Sequence, residues 1–229
     1  MLKKTISILK KVAEKTDEIL LFHSATGKDS IALLDLTSKY FAKVACVYMY
    51  VVKDLDHVNK YIKWSKNKYN VDFIQLPHFA NSSFIKIGYL GLKKDESVKS
   101  YNLNSIVELA RKKTGIQWVC FGMKQNDGLN RRLMLKGYSM NAINEKSKSV
   151  YPLSEWSNSD VLKYVQLNNL IQPLSYNNDR SSGCDIGDID YLNYLRNKYP
   201  NDLKKVIDVF PMTRQLLFEY DYHNNTDEN

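Results

Sequence analysis

A buried strand that runs without a break into a small polar turn, and from there into a helix, limits this chain more than any other feature. Glu18 to His23 (EILLFH) reads as the strand and Ser24-Ala25-Thr26-Gly27-Lys28-Asp29-Ser30 as the turn. Ser30 to Tyr40 (SIALLDLTSKY) then repeats apolar residues at helical spacing. Such a junction leaves the first amides of the helix without intrahelical partners, and the positive end of the helix dipole points the same way. The turn is therefore a natural phosphate cradle. Gly27 lets the backbone approach a ligand closely, Ser24, Thr26 and Ser30 bring hydroxyl donors, and Lys28 brings a point charge. Asp29, in the first turn, is placed to cap the helix or to help hold a magnesium ion. The plain alternative is an ordinary strand-to-helix turn with polar capping residues. A Walker A loop is excluded: Phe22 stands where its first glycine is needed, and Asp29 where a Ser or Thr must follow the lysine.

The strand and helix patterns keep alternating downstream. Ala42 to Val52 reads as a second strand, Leu55 to Lys68 as a helix, and Val71 to Leu76 as a third strand closed by Pro77. Ser105 to Lys113 reads as a helix, and Gln117 to Phe121 as a fourth strand ending at Gly122. Alternation of this kind implies a mostly parallel sheet with right-handed crossovers, and ligands on such sheets bind beyond the carboxyl ends of the strands. Both Ser24 to Ser30 and the stretch from Gly122 onward fall at those ends. The expected fold class is α/β, a doubly wound, mostly parallel sheet with flanking helices and a helical C-terminal extension. Residues 1–175 read as the nucleotide-binding domain, 176–222 as a loop and helical extension of the same unit, and 223–229 as a polar, disordered tail.

Length and composition bound the function classes. A chain of 229 residues is long enough to bury a full α/β core without disulfide or metal staples. No apolar run approaches the roughly 18 residues of a membrane span. Residues 1–15 read as an amphipathic helix without a signal-peptide core, so a cytoplasmic location and no membrane partner are expected. The net charge of +8 favours an anionic partner, a nucleotide or a nucleic acid, although lysines scattered on helices also suit a solvated surface. Cys46 and Cys120 lie inside apolar runs and read as buried strand residues. Cys184, beside Arg180 in a polar glycine-bearing stretch, reads either as a nucleophile or sulfur carrier or as a passive loop residue. The neighbouring Asp185 and Asp188 favour the passive reading. His23, His57, His78 and His223 show no metal-ligand spacing, and His23 reads as a buried structural histidine.

The turn resembles the SGGKDS loop of the PP-loop, or adenine nucleotide α-hydrolase-like, superfamily. Within it the chain is similar to the phosphoadenosine phosphosulfate (PAPS) reductase branch. Gly122-Met123-Lys124 with Arg131 and Arg132 resembles that branch's Gly-x-Arg segment and downstream arginine. Tyr151-Pro152-Leu153 with Trp156, Asp160-Val161 and Tyr164 resembles its Pro-Leu, Trp, Asp-Val, Tyr pattern, and Arg180 to Cys184 its Ser-Ile-Gly-Cys segment. The resemblance implies an adenine nucleotide held by Ser24, Ala25, Thr26, Gly27, Lys28, Asp29 and Ser30. Backbone groups of Tyr48, Met49 and Tyr50 would meet the adenine, and Gly122, Lys124 and Arg132 would line the anionic part. Lys28, Arg131 and Cys184 are the implied catalytic residues, and Asp29 the implied Mg²⁺ ligand.

Departures from the family pattern shape the expected reaction. Ala25 and Thr26 replace the two loop glycines, while Gly-Lys-Asp-Ser is kept as in ATP-cleaving members. No cysteine follows Cys184, where reductases carry a catalytic thiol. The resemblance therefore implies ATP, cleaved to an adenylate and pyrophosphate for sulfur transfer or nucleic-acid modification. PAPS chemistry by a sulfonucleotide reductase or sulfotransferase is the alternative, and a non-catalytic nucleotide-binding regulator the second. The implied cofactors are ATP or PAPS with Mg²⁺. Three separated cysteines lead to the expectation of no iron–sulfur cluster. An anionic small molecule or a nucleic acid is the implied acceptor, with a homodimer or partner subunit as a further implied association.

Overall fold

β1 (Glu18–Phe22) is central because its side chains are apolar on both faces. Ile19 and Leu21 pack on one side of the sheet, Leu20 and Phe22 on the other, as the two-residue period of a strand requires. The computed structural model describes residues 1–176 and 185–226. Around β1 the described residues form a six-stranded sheet of order β3-β2-β1-β4-β6-β5. Its members are β2 (Lys43–Tyr50), β3 (Asp72–Pro77), β4 (Val119–Cys120), β5 (Ile143–Asn144) and β6 (Ser149–Val150). Four pairings are parallel, and β5 with β6 closes the edge as an antiparallel hairpin. The chain is thus a doubly wound, mostly parallel α/β fold.

Helices cover both faces. α1 (Leu2–Ala13), α2 (Lys28–Thr37) and α7 (Asn158–Leu167) bury Ile8, Leu9, Val12, Ile31, Leu34, Val161 and Val165 against Ile19, Leu21, Cys46 and Cys120. On the other face α5 (Leu103–Thr114) and α6 (Leu129–Lys136) supply Ile106, Val107, Ala110 and Leu135. Each such side chain, fully buried, contributes about 2 kcal/mol through the water it gives up. α5 starts two residues before its expected position, because Asn102 and Ser105 form a reciprocal capping box.

Three stretches hold structure that their sequence pattern did not announce. α4 (Ala80–Ile87) lies in the expected loop after Pro77, α6 follows the fourth strand, and the β5–β6 hairpin is made of strands too short to show a period. Toward the C-terminus, α8 (Ile189–Lys198), α9 (Pro200–Val209) and α10 (Thr213–Thr226) break at Pro200 and around Pro211. α10 carries helix to Thr226, into the stretch expected to be disordered from His223. No helix among the described residues is long and apolar enough to cross a membrane.

A third apolar cluster joins α8, α9 and α10 to α3 (Asp56–Tyr69) through Val58, Ile62, Leu192, Leu195, Val206 and Phe210. Its polar latch is Asp202, which is fully buried. Leu55, at the N-cap of α3, has no side chain that can accept a hydrogen bond. Asp202 reaches across from α9 instead, accepting the amides of Asp56 at 2.7 Å and His57 at 3.0 Å and binding His57 Nδ1 at 2.7 Å. A helix cap here doubles as an inter-helix tether. Burial tends to raise the Asp202 pKa, but these amide and imidazole bonds hold it below the usual carboxylate range. Replacing Asp202 by alanine strands three donors in an apolar interface. Urea unfolding of Asp202→Ala is expected to show a loss of about 3 kcal/mol relative to wild type.

Candidate functional site

The turn between β1 and α2 is braced from within. Ala25 adopts a left-handed conformation (φ 62°) where the family pattern has glycine, and its methyl is fully buried. Its amide donates to His23 Nδ1 at 2.8 Å, the Thr26 amide to Ser24 O at 2.8 Å, and the Leu174 amide to Thr26 O at 3.0 Å. Ser30 Oγ accepts the Ser24 amide at 2.9 Å and shares a hydrogen bond with Ser24 Oγ at 2.9 Å. The Ser30 hydroxyl, expected as a ligand donor, thus holds the turn closed.

Gly27 is the N-cap of α2, and no side chain caps that helix. The first intrahelical bond runs from the Ile31 amide to Gly27 O. Helix geometry gives the amides of Asp29 and Ser30 no intrahelical partner, at the positive end of the dipole. Asp29, expected as a cap or a magnesium ligand, is paired with two lysines. Its Oδ1 binds Lys124 Nζ at 2.6 Å, and its Oδ2 lies 3.4 Å from Lys28 Nζ.

Lys124 was expected to line the anionic part of the site. It is instead 2% exposed, the largest of the fully buried side chains. Its ammonium bridges Asp29 and Asp127, the latter at 3.2 Å. Gly122 permits this: a Cβ there would lie 3.2 Å from Asp29 Cβ, so the strand end and the first turn of α2 pass in close contact. Burial tends to raise the Asp127 pKa. The Lys124 amide and ammonium, with Arg131 at 2.9 Å, outweigh this and hold it below the usual carboxylate range.

Two recesses open on this turn, and they share Phe22, Ser24 and Ser30. The first, of about 350 Å³, runs under the end of β2 beside Val47, Tyr48 and Met49, and is closed by Leu174, Tyr176, Ile186 and Tyr191. The second, of about 370 Å³, is bordered by Asp29, Gly122, Asp127 and Arg131. Of the residues expected at the site, Ala25, Gly27, Lys28, Tyr50, Lys124 and Arg132 line neither recess. The Tyr50 carbonyl accepts the His78 amide at 2.7 Å. Cys184 and its flanking Arg180 lie outside the described residues.

The sequence reading gave His57 no place in the first cavity. His57 is on its wall, with Nδ1 held by Asp202 and Nε2 3.3 Å from the Tyr191 hydroxyl. Burial pushes the His57 pKa below its ordinary value despite that carboxylate, so the imidazole is neutral. His23 also lines the cavity, and it is 1% exposed. The glycine-like strain at Ala25 and the histidine two residues before it were the only sequence signals for this arrangement.

Comparison with known proteins places these residues in a family. The model described as the phosphoadenosine phosphosulfate reductase domain matches residues 19–186. Among curated proteins, the tRNA-specific 2-thiouridylase MnmA of Mycoplasma mycoides subsp. mycoides SC is 26% identical over 160 residues, or 66% of this chain and 33% of that protein. The chain therefore spans about a third of that relative's length. Similar solved structures include the U34-tRNA thiolase NcsA from Methanococcus maripaludis with its 4Fe-4S cluster, at 15% identity and TM-score 0.46, covering 93% of this chain and 78% of that one. NH3-dependent NAD synthetase from Campylobacter jejuni, in complex with nitrate, matches at 14% identity and TM-score 0.45, covering 94% and 95%. PAPS reductase from Candida auris, in a phosphate complex, matches at 18% identity and TM-score 0.41, covering 67% and 74%.

These findings correct the expected cofactors, ATP or PAPS with Mg²⁺ and no iron–sulfur cluster. The thiolase structure carries a 4Fe-4S cluster. Among the described residues, no group of three or more His, Cys, Asp or Glu side chains is placed to hold a metal ion. Cys46 and Cys120 do not fit a cluster: both face the core on either side of Leu21, and burial pushes both thiols up.

Acid stability offers a check on the site's burial. Desolvation alone pushes the His23 pKa from 6.5 down to about 3. Below pH 6.5 the unfolded chain binds a proton at His23 that the folded chain refuses. Stability from this group is complete above pH 6.5 and is lost as pH falls toward 3. Between pH 6 and pH 5, urea unfolding of the wild type is expected to lose about 1 kcal/mol more than that of His23→Asn.

Proposed function

The chain belongs to the phosphoadenosine phosphosulfate reductase domain family, and from that premise we propose that it is an enzyme that binds ATP and cleaves it to an adenylate and pyrophosphate. The observation that carries this reading is the placement of the β1–α2 turn between two recesses that share Phe22, Ser24 and Ser30. A nucleoside fits the first, mostly apolar cavity, with Val47, Tyr48 and Met49 along it. The phosphates would then lie over the first turn of α2, near its uncapped amides and Lys28. The second recess, with Arg131 on its border, is left for the acceptor.

In this arrangement a nucleophilic atom of the acceptor forms a bond to the α-phosphorus as the bond to the pyrophosphate oxygen breaks. The protein's task is alignment and charge stabilisation. The amides of the α2 first turn and Lys28 take up charge on the leaving pyrophosphate. Arg131, now paired with Asp127 at the rim, orients the α-phosphate or an anionic acceptor. Lys124 holds Asp29 and keeps the strand end against α2, so its role is positioning.

The acceptor class follows from charge and kinship. A net charge of +8 suits a nucleic acid or another anion, and the curated relative is named as a tRNA-specific 2-thiouridylase. We assign the reaction to activation of a nucleic-acid base for sulfur transfer, in the cytoplasm, with a homodimer or a partner subunit as a further association.

Isothermal titration with ATP and, in parallel, with PAPS tests the assignment. Wild-type protein is expected to prefer ATP, and Lys28→Ala to weaken it about ten- to a hundredfold with an unchanged melting temperature. Preference for PAPS that survives the substitution would contradict it.

A further inference from the structure

His23 has two ring nitrogens, and the protein uses one. Nδ1 accepts the Ala25 amide at 2.8 Å and so carries no proton, which assigns the N–H to Nε2. That Nε2 is buried and has no hydrogen-bond partner among the described residues. Buried donors of this kind are rare in folded proteins, and each is a reason to look for a missing partner. The ring meets Phe73 edge-on at a centroid distance of 5.4 Å. His23 also lines the first cavity, together with Phe22, Val47 and Met49.

We propose that His23 Nε2–H is a base-reading donor, hydrogen-bonded to a ring nitrogen of the purine when a nucleotide occupies this cavity. The inference rests on the adenine-nucleotide reading above and adds to it a specificity residue. Three observations favour a base over a ribose. His23 donates its own amide to Val47 O at 2.9 Å, which sets it beside the strand end where a base would lie. Phe22, Val47, Met49 and Val52 give this cavity an apolar lining against which a base can pack. Burial also keeps the imidazole neutral, so it offers a single donor and no charge to a phosphate.

The Ala25 contact makes the donor directional. With Nδ1 held by the turn, the ring cannot flip without losing that bond, so the turn that faces the phosphates also orients the group that reads the base. A left-handed alanine two residues after the histidine is the feature that aims the Ala25 amide back at the ring.

Two substitutions separate the ring's two jobs. In His23→Asn the side-chain oxygen can still accept the Ala25 amide, but the distal donor is gone. In His23→Gln a distal donor is restored. Titrations use ATP and its 1-deaza, 3-deaza and 7-deaza analogues, with thermal unfolding as a control on the fold. His23→Asn is expected to bind ATP about three- to tenfold more weakly than wild type. One deaza analogue should show the same loss with wild type and no further loss with the variant, and His23→Gln should recover part of the affinity. Equal binding of ATP by wild type and His23→Asn would overturn the role of His23 while leaving the nucleotide site intact. Wild-type protein that binds every analogue as it binds ATP would overturn it as well, and that series decides even where the variant does not fold. Wild-type protein that binds no adenine nucleotide would remove both readings.

Discussion

The Lys124 ammonium, held in the interior by the Asp29 carboxylate, is the interaction on which the geometry of the site depends. It joins the exit of β4 to the first turn of α2, two segments that meet only because Gly122 has no side chain. Removing Asp29 would leave the buried Lys124 ammonium to Asp127 alone. The pair therefore fixes where the uncapped end of α2 lies relative to the second recess. Asp127 completes the arrangement by accepting Lys124 on one side and Arg131 at the rim on the other.

A second constraint acts from the opposite side. Leu174 reaches the turn through Thr26 O, and Asp202 ties α9 to the start of α3. Together they bring the C-terminal helices over the first cavity, so that Ile186 and Tyr191 close a space that begins at the sheet. The cavity belongs to both halves of the chain, and the docking of those helices is part of its shape.

Much of this was legible in the sequence, for identifiable reasons. β1, β2 and β3 announce themselves by long β-branched and apolar runs, and α2, α3 and α5 by helical spacing. The turn was found because glycine, lysine and hydroxyl residues at a strand-to-helix junction have few other uses. β5 and β6 were missed because two-residue strands carry no period. Lys124 was misjudged because its burial depends on Asp29, 95 residues earlier, and on a glycine that permits contact. Ser30 lines both recesses and at the same time accepts the Ser24 amide, a bond its spacing did not announce. His23 read as a structural histidine, which half describes it; its unused nitrogen appears only when the turn's hydrogen bonds are counted. The expectation of no iron–sulfur cluster failed for a different reason, since cysteine spacing within one chain says nothing about clusters carried by proteins of like fold.

The central claim is that the uncapped first turn of α2, steadied by Asp29 and Lys124, receives the phosphates of an adenine nucleotide. Amide hydrogen exchange, resolved residue by residue across 24–31 with and without ATP, measures this directly. The account predicts that the amides of Gly27 to Ser30 slow markedly on addition of ATP, while those of Ala25 and Thr26, already bonded within the turn, change little. Exchange that is unaltered at Gly27 to Ser30 while ATP protects another part of the chain would contradict it.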